Sequence, residues 1–197
     1  MIDVIGVILA GGQATRMGGG DKGLLMLGGQ TMLSRVIDRL GPQVDQMVLN
    51  ANGDPARFAS FGLPIIPDSV AGFPGPLAGV LAGMDHAAAL GVSHILTVAA
   101  DTPFFPADLG QRLQVCAAPI RLAATREGDR IYRHPTFGLW PTALRDDLRA
   151  ALNDGLRKVV LWTDRHGTGE VLFPAEAFFN VNTPQDLAEA EGRLVAP

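Results

Sequence analysis

Between Leu9 and Gly23 the chain reads Leu-Ala-Gly-Gly-Gln-Ala-Thr-Arg-Met-Gly-Gly-Gly-Asp-Lys-Gly. A segment so poor in bulky side chains can bring its backbone N–H groups up to phosphate oxygens. Arg16 and Lys22 add two cations to it. Phosphoryl chemistry needs charge neutralised on the phosphoryl oxygens and on the leaving group, which a lysine and an arginine on such a loop can do. The eight glycines between Gly11 and Gly29 make an entropically costly way to build an idle turn, so the segment reads as a phosphate-binding loop.

Two related patterns fail on context. Gly18, Gly20 and Gly23 satisfy G-x-G-x-x-G, but they begin eight residues beyond the apolar run Val4–Ala10 and open no long helix, so the dinucleotide fingerprint lacks its setting. Lys22 is followed by Gly23, and no G-x-x-x-x-G-K-[ST] occurs, so the ATPase-type loop is absent as well.

Asp101 ends an apolar run and precedes Thr102-Pro103, which makes it a candidate magnesium ligand beside substrate phosphates, or else a turn-forming aspartate ahead of a proline. Asn50 and Asp68 also stand at or just beyond strand-like runs. For Asp68 three roles are open: contact with a nucleotide hydroxyl, help to a metal, or an Asx-turn. No serine sits in G-x-S-x-G and Cys116 lies in a helical, apolar context, so nucleophilic catalysis by the protein has no candidate. His86, His94, His134 and His166 lack metal-ligand spacing. His134, in Arg133-His-Pro135, is a candidate substrate contact, and Arg157-Lys158 could hold a second anionic substrate. Asn180 and Asn182 fall on one face of an extended segment, where two amides could meet a polar heterocycle or a phosphate.

The elements that must carry these residues are read from periodicity. Val4–Ala10 predicts a parallel strand buried on both faces, followed by a glycine loop from Gly11 to about Gly29. Met32, Leu33, Val36, Ile37 and Leu40 predict a helix behind an N-cap at Thr31. Short strands are expected at Met47–Leu49 and Leu63–Ile66, and a helix from Pro76 to about Leu90 whose Gly79 and Gly83 allow close contact with the sheet or a ligand. A second buried strand, His94–Ala100, delivers Asp101 to its carboxyl end. Beyond it the pattern predicts a helix over Pro106–Val115 and strands near Ile120–Thr125 and Ile131–Trp140, with a bulge or edge at His134-Pro135. Helices over Pro141–Asn153 and Arg157–Trp162, a strand at Glu170–Phe173 and a last helix from Pro184, opened by a capping box Thr183-Pro-Gln-Asp186, complete it. This alternation predicts an α/β sandwich with a mostly parallel sheet, whose ligands bind beyond the carboxyl ends of the strands.

Composition narrows the function classes. With 197 residues, 47% of them hydrophobic, the chain can bury a substantial core in one domain spanning 1–197. Sixteen basic against twenty acidic residues leave a net charge of −4 and a pI near 5.5, so no global basic field exists to hold nucleic acid or an anionic membrane. A single cysteine excludes a disulfide scaffold and a cysteine metal cage and fits a reducing, cytoplasmic setting. The opening apolar run is too short to span a membrane and lacks the charged start of a signal peptide.

With these residues in view the chain resembles the molybdenum cofactor guanylyltransferases, relatives of the sugar-nucleotide and other nucleotidyltransferases. Leu9-Ala-Gly-Gly12, Arg16-Met-Gly-Gly19 and Asp21-Lys-Gly-Leu24 look like the family's signature loop. Gly75-Pro-Leu-Ala-Gly79, Asp101-Thr-Pro-Phe104, Arg133-His-Pro135, Arg157-Lys-Val159 and Asn180-Val-Asn-Thr-Pro184 look like its later landmarks, in order over nearly the whole length. The resemblance implies a Rossmann-like three-layer sandwich with helices on both faces and transfer of GMP from GTP to the terminal phosphate of molybdopterin, releasing pyrophosphate. It implies that Leu9, Ala10, Gly11, Gly12, Lys22, Asn50, Asp68 and Asp101 bind GTP, that Asp101 holds Mg²⁺, and that Lys22, Asp101 and Arg16 carry catalysis. His134, Arg157, Asn180 and Asn182 would lie toward molybdopterin, which places nucleotide binding in the N-terminal half and pterin binding in the C-terminal half. Proteins that deliver molybdopterin or mature molybdoenzymes are implied partners. The cytidylyl version of the chemistry, whose loop looks more like Leu-Ala-Ala-Gly, and a nonenzymatic nucleotide- or pterin-binding module are the alternatives; Gly11 favours guanine.

Overall fold

The structure is a computed structural model that describes residues 3–11, 21–70, 72 and 75–195. The apolar run at the start forms β1 (Val4–Leu9), paired in parallel with β4 (Gln46–Asn50) on one side and β6 (His94–Ala99) on the other. A two-residue strand β5 (Ile65–Ile66) adds in parallel to β4. Beyond β6 the sheet continues with β8 (Arg130–Pro141), β7 (Ile120–Glu127) and β9 (Thr168–Phe173), in the order β5-β4-β1-β6-β8-β7-β9. Only β8 is antiparallel to its neighbours, as a hairpin return strand must be.

Helices cover both faces. α1 (Met32–Leu40) and α3 (Leu109–Val115) bury Leu33, Val36, Leu40, Leu109 and Leu113 against Ile8, Leu49, Leu96 and Val98. On the other face α2 (Pro76–Ala89), α4 (Arg145–Asn153) and α5 (Val159–Thr163) bury Leu77, Leu81, Leu148, Leu152 and Trp162 against Ile5, Val7, Ile95 and Trp140. Alternate residues of β1 thus serve opposite layers, which is why its sequence is apolar without interruption. The three-layer α/β sandwich expected from the pattern is the fold observed.

Local chemistry sets the details. Thr31 caps α1 by accepting the Ser34 N–H at 3.0 Å. The capping box of α6 (Pro184–Val195) forms as read, with Thr183 Oγ1 accepting the Asp186 N–H at 3.1 Å and Asp186 Oδ2 accepting the Thr183 N–H at 2.8 Å. Gly79 and Gly83 of α2 face the sheet: a Cβ on Gly83 would stand 2.7 Å from Val7 Cγ2, so the bare backbone is what lets helix and sheet approach.

Three expectations are corrected. The segment from Gly11 to Gly29 is not all loop, because Lys22–Leu24 makes a 3₁₀ turn and Met26–Leu27 (β2) pairs antiparallel with Gln30–Thr31 (β3). Gly28 and Gly29 both hold positive φ, +55° and +83°, as a two-residue hairpin turn of the primed type demands. The helix expected from Pro106 starts at Leu109, and the one expected from Pro141 starts at Arg145, because β8 runs on to Pro141 and a 3₁₀ turn, Thr142–Leu144, intervenes. At His134-Pro135 the bulge is real and sits inside the sheet: Ala123 pairs with His134 and Leu122 with Gly138, so Pro135, Thr136 and Phe137 leave the ladder.

Candidate active site

Because β4, β1 and β6 run parallel, their carboxyl ends open along one edge, and there a cleft of about 670 Å³ is found. Leu9, Ala10 and Gly11 form its floor, held in register by the Ala10 N–H donating to the Asn50 carbonyl (2.9 Å) and the Ala100 N–H donating to the Leu9 carbonyl (3.1 Å). Gly72, Gly75 and Pro76 line it at the start of α2.

One end of the cleft is a carboxylate fixed by amides. Asn50, 4% exposed, donates Nδ2 to Asp68 Oδ1 (3.0 Å) and to the Ile66 carbonyl (3.2 Å). Asn52 donates its Nδ2 to Asp68 Oδ2 (2.7 Å) and accepts the Asp68 N–H on Oδ1 (2.9 Å). Asp68 is therefore more than a turn former: its carboxylate takes a donor on each oxygen and lines the cleft with its spare lone pairs.

The other end holds opposite charges. Lys22 Nζ lies 3.4 Å from Asp101 Oδ2 and 2.5 Å from Asn182 Oδ1. Asp101 Oδ1 is 3.3 Å from the buried Thr102 hydroxyl, which also bonds to Asn180 Oδ1, and the Asp101 carbonyl accepts the Val181 N–H at 2.9 Å. The extended segment before α6 buries Val181 and leaves Asn180 and Asn182 on the opposite side, the alternation read from the sequence. Asp186 accepts the Asn182 N–H at 2.8 Å, and the backbone donors of Asn182 and Thr183, with the Thr183 hydroxyl and the Lys22 charge, hold its carboxyl below the usual carboxylate range.

Not every candidate arrives at this cleft. His134 bonds through Nε2 to Thr125 Oγ1 (3.0 Å) and lies with its ring 4.4 Å from that of Phe178, and burial pushes its pKa down. It is built into the protein, and the cleft is lined instead by Thr136, two residues on, which the bulge turns inward. Arg157 donates to the carbonyls of Leu156 (2.9 Å) and Leu152 (3.3 Å) at the end of α4. Asn180 and Asn182 bond to residues of the charged end, Thr102 and Lys22. Gly12 and Arg16 lie outside the described residues. Asn52, Thr102 and Thr136 were not singled out from sequence; the spacing Asn50-x-Asn52, the same as Asn180-x-Asn182, was the signal for the first.

A mostly parallel sheet that brings Gly11, a lysine–aspartate pair and an amide-held carboxylate to one cleft defines an α/β protein with its candidate site at the carboxyl ends of its strands. Residues 6–167 match the model of the MobA-like NTP transferase domain, and the chain belongs to that family of nucleotidyltransferases. It is 50% identical over 201 residues to a molybdenum cofactor guanylyltransferase of Bradyrhizobium sp. (strain ORS 278), with 98% of this chain and 93% of that one covered. A molybdenum cofactor guanylyltransferase of Nitrobacter hamburgensis is 51% identical over 97% of this chain and 94% of its own. The fold is similar to that of molybdopterin-guanine dinucleotide biosynthesis protein A from Archaeoglobus fulgidus (TM-score 0.75, 23% identity, 96% and 98% of the chains). It is also similar to that of 4-diphosphocytidyl-2C-methyl-D-erythritol synthase from Anaerococcus prevotii (TM-score 0.79, 14% identity, 99% of each chain). No helix among the described residues is long and apolar enough to cross a membrane.

Proposed function

We propose that the protein transfers GMP from GTP to the terminal phosphate of molybdopterin, giving the guanine dinucleotide form of the cofactor and pyrophosphate. The observation that carries this reading is the pairing, in one cleft, of a charged end at Lys22 and Asp101 with an amide-held carboxylate at Asp68. A terminal phosphate oxygen of the pterin attacks the α-phosphorus of GTP in line; the new P–O bond forms as the bond to the β-phosphate oxygen breaks, and pyrophosphate leaves with that electron pair. A phosphate monoester is already anionic at neutral pH, so no protein nucleophile is needed. Lys22 leaves Asp101 and Asn182 for the incoming triphosphate and offsets the charge that builds on the leaving group. Leu9, Ala10 and Gly11 lie beneath the nucleotide, and Asn50 and Asp68 hold the nucleoside.

Asp101 fits the demands of magnesium. The described residues hold no cluster of three carboxylate, histidine or cysteine ligands, and magnesium needs none, since one or two carboxylates and substrate phosphate oxygens complete its shell. When bound, the ion neutralises phosphate charge. The cytoplasmic setting and hand-over of molybdopterin between protein partners belong to the same reading.

Calorimetric titration with GTP, CTP, ATP and NADH, each with and without Mg²⁺, tests it. Magnesium-dependent binding of GTP in preference to the others is expected. A preference for CTP would move the protein to cytidylyl transfer, and binding of none would separate the fold from the function.

A further inference from the structure

Asn52 lines the cleft beside Asp68, and its geometry is that of a clamp. Its amide holds Asp68 at two points, the carboxylate by Nδ2 at 2.7 Å and the backbone N–H by Oδ1 at 2.9 Å. Asn50 holds the other carboxylate oxygen at 3.0 Å. Together the two asparagines leave the carboxylate no free torsion while each oxygen keeps a lone pair for a ligand. A carboxylate so fixed is matched to a ligand that offers two N–H donors side by side. Among the nucleobases guanine presents that edge, through its ring N–H and its neighbouring amino group, whereas hypoxanthine keeps only the ring N–H and cytosine offers an amino group beside an acceptor.

Position argues the same way. Asp101 follows β6 and Asp68 follows β5, and between them stand β1 and β4. Three strand spacings of about 4.8 Å separate the two carboxylates by roughly 14 Å across the sheet. With the phosphates at Lys22 and Asp101, that span reaches past the sugar to the base. The clamp is also braced from outside. Arg57 donates to the Asn52 carbonyl and pairs through Nε with Asp21 Oδ2 at 3.3 Å, tying the clamp to the residue that precedes Lys22.

We infer that Asn52 is a positioning residue for base selection, orienting the Asp68 carboxylate to take the paired donors of guanine. The inference rests on the guanylyl reading above and deepens it. Asn52→Leu removes both bonds in nearly the same volume, and Asn52→Asp keeps the acceptor for the Asp68 N–H but sets a negative charge against Oδ2. Binding of GTP, ITP and CTP to the wild type and both variants is measured by calorimetry in magnesium buffer, with circular dichroism and melting temperature as the check on folding. Asn52 is exposed, so both variants should fold.

The expected result is a wild type that prefers GTP to ITP, and a loss of roughly tenfold in GTP affinity in Asn52→Leu with ITP little changed, so that the preference collapses. Asn52→Asp should lose more. Equal weakening of all three nucleotides would place Asp68 on the sugar and overturn the inference, as would unchanged selectivity in both variants; in either case the guanylyl reading stands. A wild type with no preference for GTP would overturn that reading and this inference together.

Discussion

Lys22 and Asp101 pair at 3.4 Å, and each has a second polar partner rather than being left to solvent. Lys22 has Asn182 as a second partner, and Asp101 has Thr102, itself bonded to Asn180. Removing the Asp101 carboxylate takes away both the countercharge to Lys22 and the candidate metal ligand. Asp101→Ala should therefore leave the circular dichroism spectrum intact and abolish turnover in a steady-state assay of pyrophosphate release. Lys22→Ala should lower kcat by roughly 10- to 1,000-fold, as lost charge contacts to a developing anion do; near-normal kinetics would show that Lys22 does not meet the phosphates. At this scale the sequence was legible where a residue's own neighbours announce it: Lys22 after Asp21, Asp101 at a strand end. Asn52 was not, because an asparagine before Gly53 reads as a turn former and its partner Asp68 lies sixteen residues away. The setting of His134 was not legible either, since the bulge that half-buries it against Phe178 and puts Thr136 in the cleft lining depends on register with β7, which no local pattern encodes.

The element that couples packing to the site is α2. Its glycines were read from sequence as allowing close contact with the sheet or a ligand, and the structure divides them by what each one touches. A Cβ on Gly83 would stand nearest to Val7 and Ile95, at 2.7 and 3.0 Å, both β-branched side chains in the core. Gly83→Ala should lower stability by about 1–3 kcal/mol through overpacking, reduced by about 1 kcal/mol of gained helix propensity, and leave nucleotide affinity of the folded protein near normal. A Cβ on Gly79 would stand 2.2 Å from Asn50 Oδ1 and 2.8 Å from Leu9 Cδ2. Gly79→Ala must turn the Asn50 amide away from Ile66 and Asp68, so it should weaken GTP binding by roughly tenfold as well as lowering the melting temperature. Calorimetry and urea unfolding on the two variants separate these effects, and equal GTP affinities in both would contradict the division. Helix and strand identities were legible because their periods are strong and long; the β2–β3 ribbon was not, because two-residue strands carry no period to read.

Across the molecule two histidines make stability depend on pH. Burial lowers the pKa of His134, and burial followed by the charge of Arg121 lowers that of His94. The folded state disfavours the protonated form of both, whereas the unfolded chain takes up a proton near pH 6.5. The folded state thus binds fewer protons below that value, and stability that is complete above pH 6.5 is lost as the pH falls below it toward the lower folded values. Carboxylates held low, such as Asp147 and Asp186, add losses only below about pH 4, outside that window. Urea unfolding at pH 7.5, 6.5 and 5.5 should show a decline that is shallower in His134→Gln; an unchanged slope would show that His134 does not carry it. The arrangement of layers was legible from alternation alone, but the sheet order was not, since the antiparallel insertion of β8 between β6 and β7 is a long-range pairing.

The proposed reaction is tested by following the label from α-phosphate-labelled GTP in the presence of molybdopterin and Mg²⁺. Label is expected in a pterin–guanine dinucleotide in step with pyrophosphate release, from GTP and not from CTP, and Asp101→Ala is expected to form neither product. Label that stays in GTP, or that passes to the pterin from CTP instead, would contradict it.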